Sequence, residues 1–217
     1  MNYKAILFDM DGTLLDSEVL MRNSGVRALA DFGIECTADD FLPFTGQGEL
    51  RFLGGVAAKY GHEFDPEMKE RCYYYFGEYV EEEAVIPERL METLDNLKEK
   101  GVRIAVCTSA DRTKVRHNLR ALGVSADYFE TIITGDDIKN AKPDPEVYLK
   151  GAAALGLSPE DCLVVEDAPS GIASAHAAGM KAAAITSSFD EETLRANSDP
   201  DMIIDKMPEL LDIVFGE

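Results

Sequence analysis

The sequence contains no tryptophan, three histidines and four cysteines among its 217 residues. The cysteines (Cys36, Cys72, Cys107 and Cys162) have no C-x-x-C spacing, and the histidines do not cluster with them, which argues against a zinc site. A few unpaired thiols are typical of proteins in a reducing compartment, so we expect a cytoplasmic location.

Basic residues are also scarce, with 21 lysines and arginines against 41 aspartates and glutamates and a formal net charge of −20. A chain this acidic repels the phosphate backbone of nucleic acids and anionic lipids. We therefore expect neither a nucleic-acid partner nor a membrane partner. An anionic substrate would need a local cation to overcome this field.

Long hydrophobic runs are missing as well. No stretch approaches the ~20 apolar residues of a membrane span, and the first apolar run is too short for a signal peptide and meets Asp9 at once. Hydrophobic residues still make up 46% of the chain, so a sizeable core can form. The length fits one large domain or a core domain that carries a smaller one, and we expect a monomer.

The apolar pattern divides the chain into two kinds of segment. Residues 4–8 have the composition of a buried strand, and residues 17–85 are predicted to be entirely helical. After Pro87 helices alternate with strands, as in α/β proteins whose helices cover both faces of a parallel sheet. We predict a Rossmann-like, doubly wound parallel sheet formed by residues 1–16 and 86–217, with an inserted all-helical domain at 17–85.

Polar residues stand at the carboxyl ends of the predicted strands or in the loops that follow. They are Asp9, Asp11 and Gly12 after the first strand, Thr108 and Ser109 after the second, Lys142 after the third, and Glu166 and Asp167 after the fourth. In open parallel sheets, ligands bind beyond the carboxyl ends of the strands. These residues are therefore expected to meet in one site.

Asp9 and Asp11 are two residues apart, so an extended backbone points both carboxylates to the same side. Two buried carboxylates repel each other unless one is protonated or a cation lies between them. Asp167 would add a third carboxylate from another strand end. Three oxygen donors of this kind suit a hard divalent ion, most simply Mg²⁺.

The remaining residues at the strand ends suit a phosphate group. Mg²⁺ held by few carboxylates usually completes its shell with water and a phosphate oxygen. Thr108 offers a hydroxyl beside backbone N–H groups, and Lys142 supplies a positive charge on a loop stiffened by Pro143. Gly12 would allow a sharp turn or a close approach of the backbone to the ligand.

Four segments of this sequence resemble, in order, the four motifs of the haloacid dehalogenase superfamily: "DMDGTLLDS" from Asp9, "VCTSA" from Val106, "AKPDPEVY" from Ala141 and "VVEDAPSGI" from Val164. The resemblance spans nearly the whole chain. The helical insertion is similar to the cap of the beta-phosphoglucomutase-like branch. An aspartate at position 11 points to a phosphatase or a phosphomutase within this superfamily.

The resemblance also implies a role for each motif residue. Asp9 would be the nucleophile that accepts the phosphoryl group, and Asp11 would act as general acid and then as general base. Asp9, Asp167 and the backbone carbonyl of Asp11 would bind the metal, with Glu166 as a further ligand or a group just behind it. Thr108 and the Ser109 N–H would hold phosphoryl oxygens, and Lys142 would neutralise charge between nucleophile and phosphate.

By the same resemblance, substrate choice would reside in the loop "FTGQGELRFL" of the cap, from Phe44 to Leu53. Its candidate substrate-binding residues are Gly46, Gln47 and Arg51. The glycines of this loop could equally serve as helix punctuation, and the sequence leaves the two interpretations open.

The predicted function is a Mg²⁺-dependent phosphatase that hydrolyses a small phosphorylated metabolite, such as a sugar phosphate, through an aspartyl phosphate. A phosphomutase is the nearest alternative. Beta-phosphoglucomutases have a histidine on the first cap helix and an arginine in the cap loop, where this chain has Met21 and Glu49. A phospho-accepting signalling receiver is the non-enzyme alternative, but such modules are about half this length and have no cap.

Overall fold

The computed structural model describes residues 3–44 and 49–216. Within these residues six strands and nine α-helices follow one another along the chain. Their bounds are β1 Ala5–Phe8, α1 Glu18–Asp31, α2 Glu49–Lys59, α3 Pro66–Glu83, α4 Leu90–Glu99, β2 Arg103–Cys107, α5 Arg112–Ala121, β3 Thr131–Ile133, α6 Glu146–Ala154, β4 Cys162–Glu166, α7 Pro169–Ala177, β5 Lys181–Ile185, α8 Glu191–Ser198, β6 Met202–Ile204 and α9 Glu209–Phe215.

The six strands form one parallel sheet in the order β3-β2-β1-β4-β5-β6. In this register Phe8, the last residue of β1, lies beside Val106 of β2 and Val165 of β4. The carboxyl ends of the three central strands therefore reach the same edge of the sheet. The predicted α/β fold, with a helical insertion between the first two strands, is confirmed.

The central strands are apolar except at their ends, where Arg103 begins β2 and Glu166 ends β4, because helices cover both faces of the sheet. Every residue of β1 and of β4 is buried, which explains their continuous apolar runs rather than an alternating pattern. On one face Leu7 packs in a cluster with residues of β2, β4, α6 and α7. This packing fixes the strand ends that carry the polar residues.

The chain divides into two compact units. The first is formed by Met1–Asp16 and Val85–Glu217, and the second by Ser17–Ala84. Within the first unit, Asp16 and Val85 exchange two backbone hydrogen bonds of 2.8 and 2.9 Å. The chain therefore leaves the sheet-containing unit and returns to it at one point.

The helical unit has a core of its own. Its buried residues come from α1, α2, α3, Ile34 in the loop after α1, and the turn that includes Phe41, whose ring centroid lies 4.6 Å from that of Phe52. Arg71 on α3 forms an ion pair of 2.5 Å with Asp31 on α1. Among the described residues, every helix of the chain is too short or too polar to cross a lipid bilayer.

Helix α8 is the one α-helix of the described chain that the sequence pattern does not predict. Its only buried residue is Leu194, so it has no apolar stripe that periodicity could reveal. The side chain of Asp190 accepts a hydrogen bond from the Thr193 N–H at 2.8 Å and caps its first turn. Capping and local propensity therefore define this helix more than burial does.

The first prediction concerns the packing of β1. Replacement of fully buried Leu7 by alanine should lower the free energy of unfolding by about 2–5 kcal/mol, because a cavity remains between the sheet and α6. The measurement is urea-induced unfolding followed by circular dichroism. Leu149→Ala is the matched control, since this leucine of α6 is 41% exposed and should cost clearly less. Equal losses would contradict the assigned packing.

Candidate active site

The loop after β1 makes a tight turn that begins at Asp9. The Asp9 N–H donates to the Val165 carbonyl oxygen at 3.0 Å, which continues the sheet by one residue. The N–H of Leu14 donates to the Met10 carbonyl at 2.9 Å, and that of Gly12 to the Leu15 carbonyl at 2.8 Å. The turn leaves the Asp9 side chain buried at the sheet edge, only 8% exposed.

Gly12 lies in this turn with φ of 81° and directly faces Asp167. A Cβ atom at position 12 would lie 2.0 Å from Asp167 Oδ2 and 2.7 Å from the Ser188 hydroxyl. The Ser187 hydroxyl donates to the Gly12 carbonyl from the loop after β5. Position 12 therefore requires glycine for its backbone conformation and for the space that the carboxylate occupies.

The ammonium group of Lys142 joins two of the acidic side chains. Its Nζ lies 2.5 Å from Asp9 Oδ1 and 2.6 Å from Glu166 Oε1, and it donates to the Cys107 carbonyl at 3.2 Å. Burial would lower the pKa of Lys142, but the carboxylates of Asp9 and Glu166 outweigh it and raise the pKa well above its ordinary value. Lys142 therefore stays charged, and its peptide bond to Pro143 is cis.

Three buried acids form a cluster at the ends of β1 and β4. Asp9, Glu166 and Asp167 each offer a carboxylate oxygen within 4.8 Å of the other two. Burial raises the pKa of Asp9 to about 7 although Lys142 acts in the opposite direction. Burial, followed by the charges of Glu166 and Asp9, raises the pKa of Asp167 to about 8. Ionising all three acids is therefore costly unless a further cation is bound.

Glu166 is already saturated with hydrogen bonds. Its Oε1 accepts from Lys142 and from the Tyr148 hydroxyl at 3.0 Å, and its Oε2 accepts from the N–H groups of Asp167 and Ala168 at 3.0 Å each. A carboxylate has about four lone-pair positions, so these four bonds use its capacity. Glu166 belongs to the cluster by distance, but its bonds orient Lys142 and the Asp167 backbone.

Asp11 has different partners. Its Oδ2 lies 2.8 Å from Lys114 Nζ, and its Oδ1 accepts from the Asn118 side-chain amide at 3.2 Å. Among the described residues, the buried acidic cluster comprises Asp9, Glu166 and Asp167 and does not include the Asp11 carboxylate. A metal contact of Asp11 through its backbone carbonyl stays a prediction.

Thr108 and Ser109 follow β2 at the same edge of the sheet. The Thr108 side chain is buried, and its oxygen accepts from the Ala110 N–H at 3.0 Å, so the hydroxyl hydrogen can point to another acceptor. Ser109 is exposed, and the Gly135 N–H donates to the Ala110 carbonyl at 2.7 Å. The loop after β3 therefore packs directly against the loop after β2.

The three predicted substrate-binding residues of the cap do not belong to the sheet-containing unit. Arg51 is exposed on α2 of the helical unit, and Gly46 and Gln47 lie outside the described residues. The strand-end candidates Asp9, Gly12, Lys142, Glu166 and Asp167 are brought together by the sheet-containing unit.

Sequence reasoning missed five side chains that contact the strand-end residues: Lys114, Asn118, Tyr148, Ser187 and Ser188. The four-residue spacing of Lys114 and Asn118, shortly after Thr108, could have identified the first two as one helix face toward the site. Tyr148 and the two serines carry no comparable signal, because their contacts depend on how α6 and the loop after β5 pack.

The charges around the site favour a divalent cation. Four carboxylates (Asp9, Asp11, Glu166 and Asp167) meet two ammonium groups (Lys114 and Lys142), so negative groups exceed positive ones by two. The donor atoms are oxygens, which hard cations such as Mg²⁺ prefer. The residues present therefore fit the predicted Mg²⁺.

Comparison with known proteins identifies the family of this chain. A family model described as haloacid dehalogenase-like hydrolase matches residues 6–185. The chain belongs to this family. The match runs from within β1 to the last residue of β5, so it includes all the strand ends described above.

Two named relatives and one solved structure illustrate the similarity. SUPPRESSOR OF QUENCHING 1, a chloroplastic protein of Arabidopsis thaliana, is 42% identical over 98% of this chain, which spans only 21% of that longer protein. Validoxylamine A 7'-phosphate phosphatase of Streptomyces hygroscopicus subsp. limoneus is 32% identical over 96% of each chain. The crystal structure of a predicted phosphoglycolate phosphatase from Haemophilus somnus 129PT matches with a TM-score of 0.85 and 26% identity over 99% of each chain. The prediction of a haloacid-dehalogenase-type phosphatase is confirmed at this level.

The second prediction tests the role of Lys142 in holding the acids together. In the metal-free protein at about pH 8, Lys142→Met should lower the free energy of unfolding by about 3–5 kcal/mol, because it leaves buried carboxylates without their partner. The loss should shrink toward pH 5. Without the ammonium, the folded-state pKa of Asp9 rises further above its unfolded value of ~3.9, so stability falls as the pH rises through this interval.

The measurement is denaturant unfolding in EDTA at several pH values. Lys4→Met is the matched control, because it removes an ion pair of 3.0 Å with Asp161 that is largely exposed and should cost at most about 1 kcal/mol. A Lys142→Met variant as stable as this control at pH 8 would contradict the assigned role.

Proposed function

We propose that the protein is a Mg²⁺-dependent phosphatase that hydrolyses a small phosphorylated metabolite, such as a sugar phosphate, through an aspartyl phosphate formed at Asp9. The observation that carries this proposal is the placement of Asp9 within one cluster with Lys142 and Asp167, at the edge of the sheet where Thr108 follows β2. The receiver alternative lacks this support, because family and fold match hydrolases along nearly the whole chain.

In the first step, an Asp9 oxygen attacks phosphorus and the bond from phosphorus to the leaving oxygen breaks. Asp11, in its acid form, gives its proton to that oxygen, so the alcohol departs neutral. Lys142 lies 2.5 Å from Asp9 and offsets charge between the nucleophile and the phosphoryl group. Thr108 and the Ser109 N–H would hold phosphoryl oxygens in line with Asp9.

In the second step, a water molecule attacks the same phosphorus atom. The Asp11 carboxylate takes a proton from this water, and the bond between phosphorus and the Asp9 oxygen breaks. Asp9 returns as a carboxylate, inorganic phosphate is released, and Asp11 is again in its acid form, now with a proton from the attacking water. The two steps together consume one water and produce one alcohol and one phosphate.

Asp9, Asp167 and the Asp11 backbone carbonyl would hold Mg²⁺. When bound, the ion supplies the positive charge that lets the acids ionise together and shields the incoming phosphate. Glu166 would stay behind these ligands, since its oxygens already accept four hydrogen bonds. We also keep Gly46, Gln47 and Arg51 as the proposed determinants of substrate choice.

The small size of the proposed substrate rests on the nature of the relatives. A relative of almost equal length acts, by its name, on the phosphate ester of a small molecule. The activity and partners of the longer chloroplastic relative are not transferred, because this chain corresponds to one fifth of it. The four free cysteines favour a reducing compartment such as the cytoplasm, and a monomer remains the expected state.

Hydrolysis is favoured over phosphomutase activity by one feature of the helical unit. Met21, at the position where beta-phosphoglucomutases have a histidine, packs partly buried against that unit's apolar core. A thioether can neither donate nor accept the protons that a second phosphoryl transfer requires. The expected product of turnover is therefore free phosphate.

The third prediction concerns Asp9. Asp9→Asn should reduce phosphate release from para-nitrophenyl phosphate at least ~10³-fold, because the amide cannot form the aspartyl phosphate. Acid-quenched reactions with radiolabelled substrate should leave label on the wild-type protein and none on this variant. Asp161→Asn, at the other end of the sheet, is the control and should retain activity. Turnover by Asp9→Asn near the wild-type rate would refute the proposed nucleophile.

The fourth prediction concerns the metal. Saturating Mg²⁺ should raise the melting temperature of the wild-type protein above its value in EDTA, and at one hundred times Kd the stabilisation is about 2.7 kcal/mol. Asp167→Asn should lose most of this effect, whereas Asp161→Asn should keep it. The measurement is thermal unfolding without substrate. Identical melting curves of the wild type with Mg²⁺ and with EDTA would count against the metal assignment.

A further inference from the structure

The Asp11 carboxylate is held at both oxygens by two side chains of α5. Lys114 Nζ lies 2.8 Å from Oδ2, and the Asn118 amide donates to Oδ1 at 3.2 Å. The two donors are four residues apart and so lie on one face of the helix. We call this pair, Lys114 and Asn118, the Asp11 clamp.

The clamp rests on a well-fixed support. The Asp111 side chain caps α5 by accepting hydrogen bonds from the N–H groups of Thr113 and Lys114 at 3.0 Å each. Asn118 is completely buried, and the Lys114 side chain is only 13% exposed. Both donors therefore start from a restricted set of conformations, and holding Asp11 costs them little further entropy.

The buried acidic cluster does not account for the Asp11 clamp. Asp9 and Glu166 both form ion pairs with Lys142, so the attraction of opposite charges accounts for the contacts among these three side chains. The Asp11 carboxylate has its own ammonium and its own amide, both from an element that contributes nothing else to the acidic cluster of the described residues. The arrangement of these donors instead determines where the two Asp11 oxygens lie.

The orientation of this side chain matters for proton transfer. A group that gives or takes a proton in a transition state must stand within hydrogen-bond reach of the reacting oxygen in a defined direction. One bond to each oxygen fixes both the side-chain rotamer and the plane of the carboxyl group. A preset orientation removes the entropic cost of finding it at the moment of reaction.

We propose that Lys114 and Asn118 are positioning residues that orient Asp11 for proton transfer to the leaving oxygen and from the attacking water. The inference rests on the proposed function, because that function assigns both proton transfers to Asp11. It extends the site to α5, whose residues Lys114 and Asn118 contact the Asp11 carboxylate and, in the interactions described above, neither Asp9 nor Asp167.

The test compares substrates whose leaving groups differ in their need for a proton. A dinitrophenolate leaves without protonation, whereas an unsubstituted phenolate or an alkoxide needs it, so kcat/KM across such phosphate esters reports on the acid. Lys114→Met should lose about 10–100-fold in kcat/KM for phenyl phosphate and less than about 3-fold for dinitrophenyl phosphate, part of the 10²–10⁴-fold that acid–base catalysis supplies. Asn118→Leu should show the same trend with a smaller loss.

Two further variants make the result specific. Lys114→Arg keeps a charged donor and should recover most of the activity on phenyl phosphate. Lys4→Met removes an ion pair remote from the site and should stay within about 2-fold of the wild type on every substrate. Melting temperatures are measured for all variants, and Asn118→Leu carries the test if Lys114→Met does not fold.

The opposite outcomes are equally clear. If Lys114 binds the substrate directly, Lys114→Met raises KM by the same factor for every leaving group and leaves kcat unchanged, which would overturn the inference. No recovery in Lys114→Arg, with the fold intact, would also count against it.

Asp11→Asn separates failure of this inference from failure of the proposed function. It should show the steepest dependence on the leaving group. If Asp11→Asn loses activity uniformly, the proton role of Asp11 is wrong and the proposed function fails at that point. If Asp11→Asn is steep but the clamp variants are flat, only the positioning role is refuted.

Discussion

The ammonium of Lys142 between Asp9 and Glu166 is the interaction on which the site depends. Buried carboxylates that lie this close together cannot all ionise unless positive charge compensates them. Lys142 supplies that charge from within the chain for Asp9 and Glu166. Its charge is secured by the same neighbours that it stabilises. A divalent cation then has to supply only the remaining positive charge. The excess negative charge of the site is about that which one such ion neutralises.

The sheet creates the conditions for this interaction. Neighbouring parallel strands end at the same level, so Asp9 from β1 and Glu166 from β4 meet although they are far apart in sequence. The loop that carries Lys142 comes from the far side of β2, and its reach to both acids follows from the strand order. Hydrogen bonds to Glu166 from Tyr148 and two backbone N–H groups then keep the acid from rotating away. Strand order thus determines which chemical groups can cooperate.

The sequence predicts the sheet, the helical insertion and the strand-end residues, because each has a strong local signal. Apolar runs reveal the strands, glycines mark the helix ends, and Asp9 or Lys142 stand where a parallel sheet exposes its ligands. The sequence does not predict that the Asp9 and Asp11 carboxylates have different partners. Alternation predicts that both carboxylates face one cation, yet the tight turn at Met10 and Gly12 directs the Asp11 carboxylate to α5. Alternation applies to extended backbone and does not extend through a turn. Helix α8 is not predicted from the sequence either, because a single buried leucine gives no hydrophobic periodicity.

The paired hydrogen bonds between Asp16 and Val85 have a consequence for how this architecture can vary. Two residues that exchange both backbone bonds have their Cα atoms about 5.5 Å apart, which is a gap that a short turn can close. The register of the sheet therefore does not depend on which segment lies between Asp16 and Val85. Any segment whose two ends come equally close together could be inserted between these residues, or removed, without a change of strand register. The catalytic platform and the module that leaves from this point are thus separable parts, free to be recombined independently.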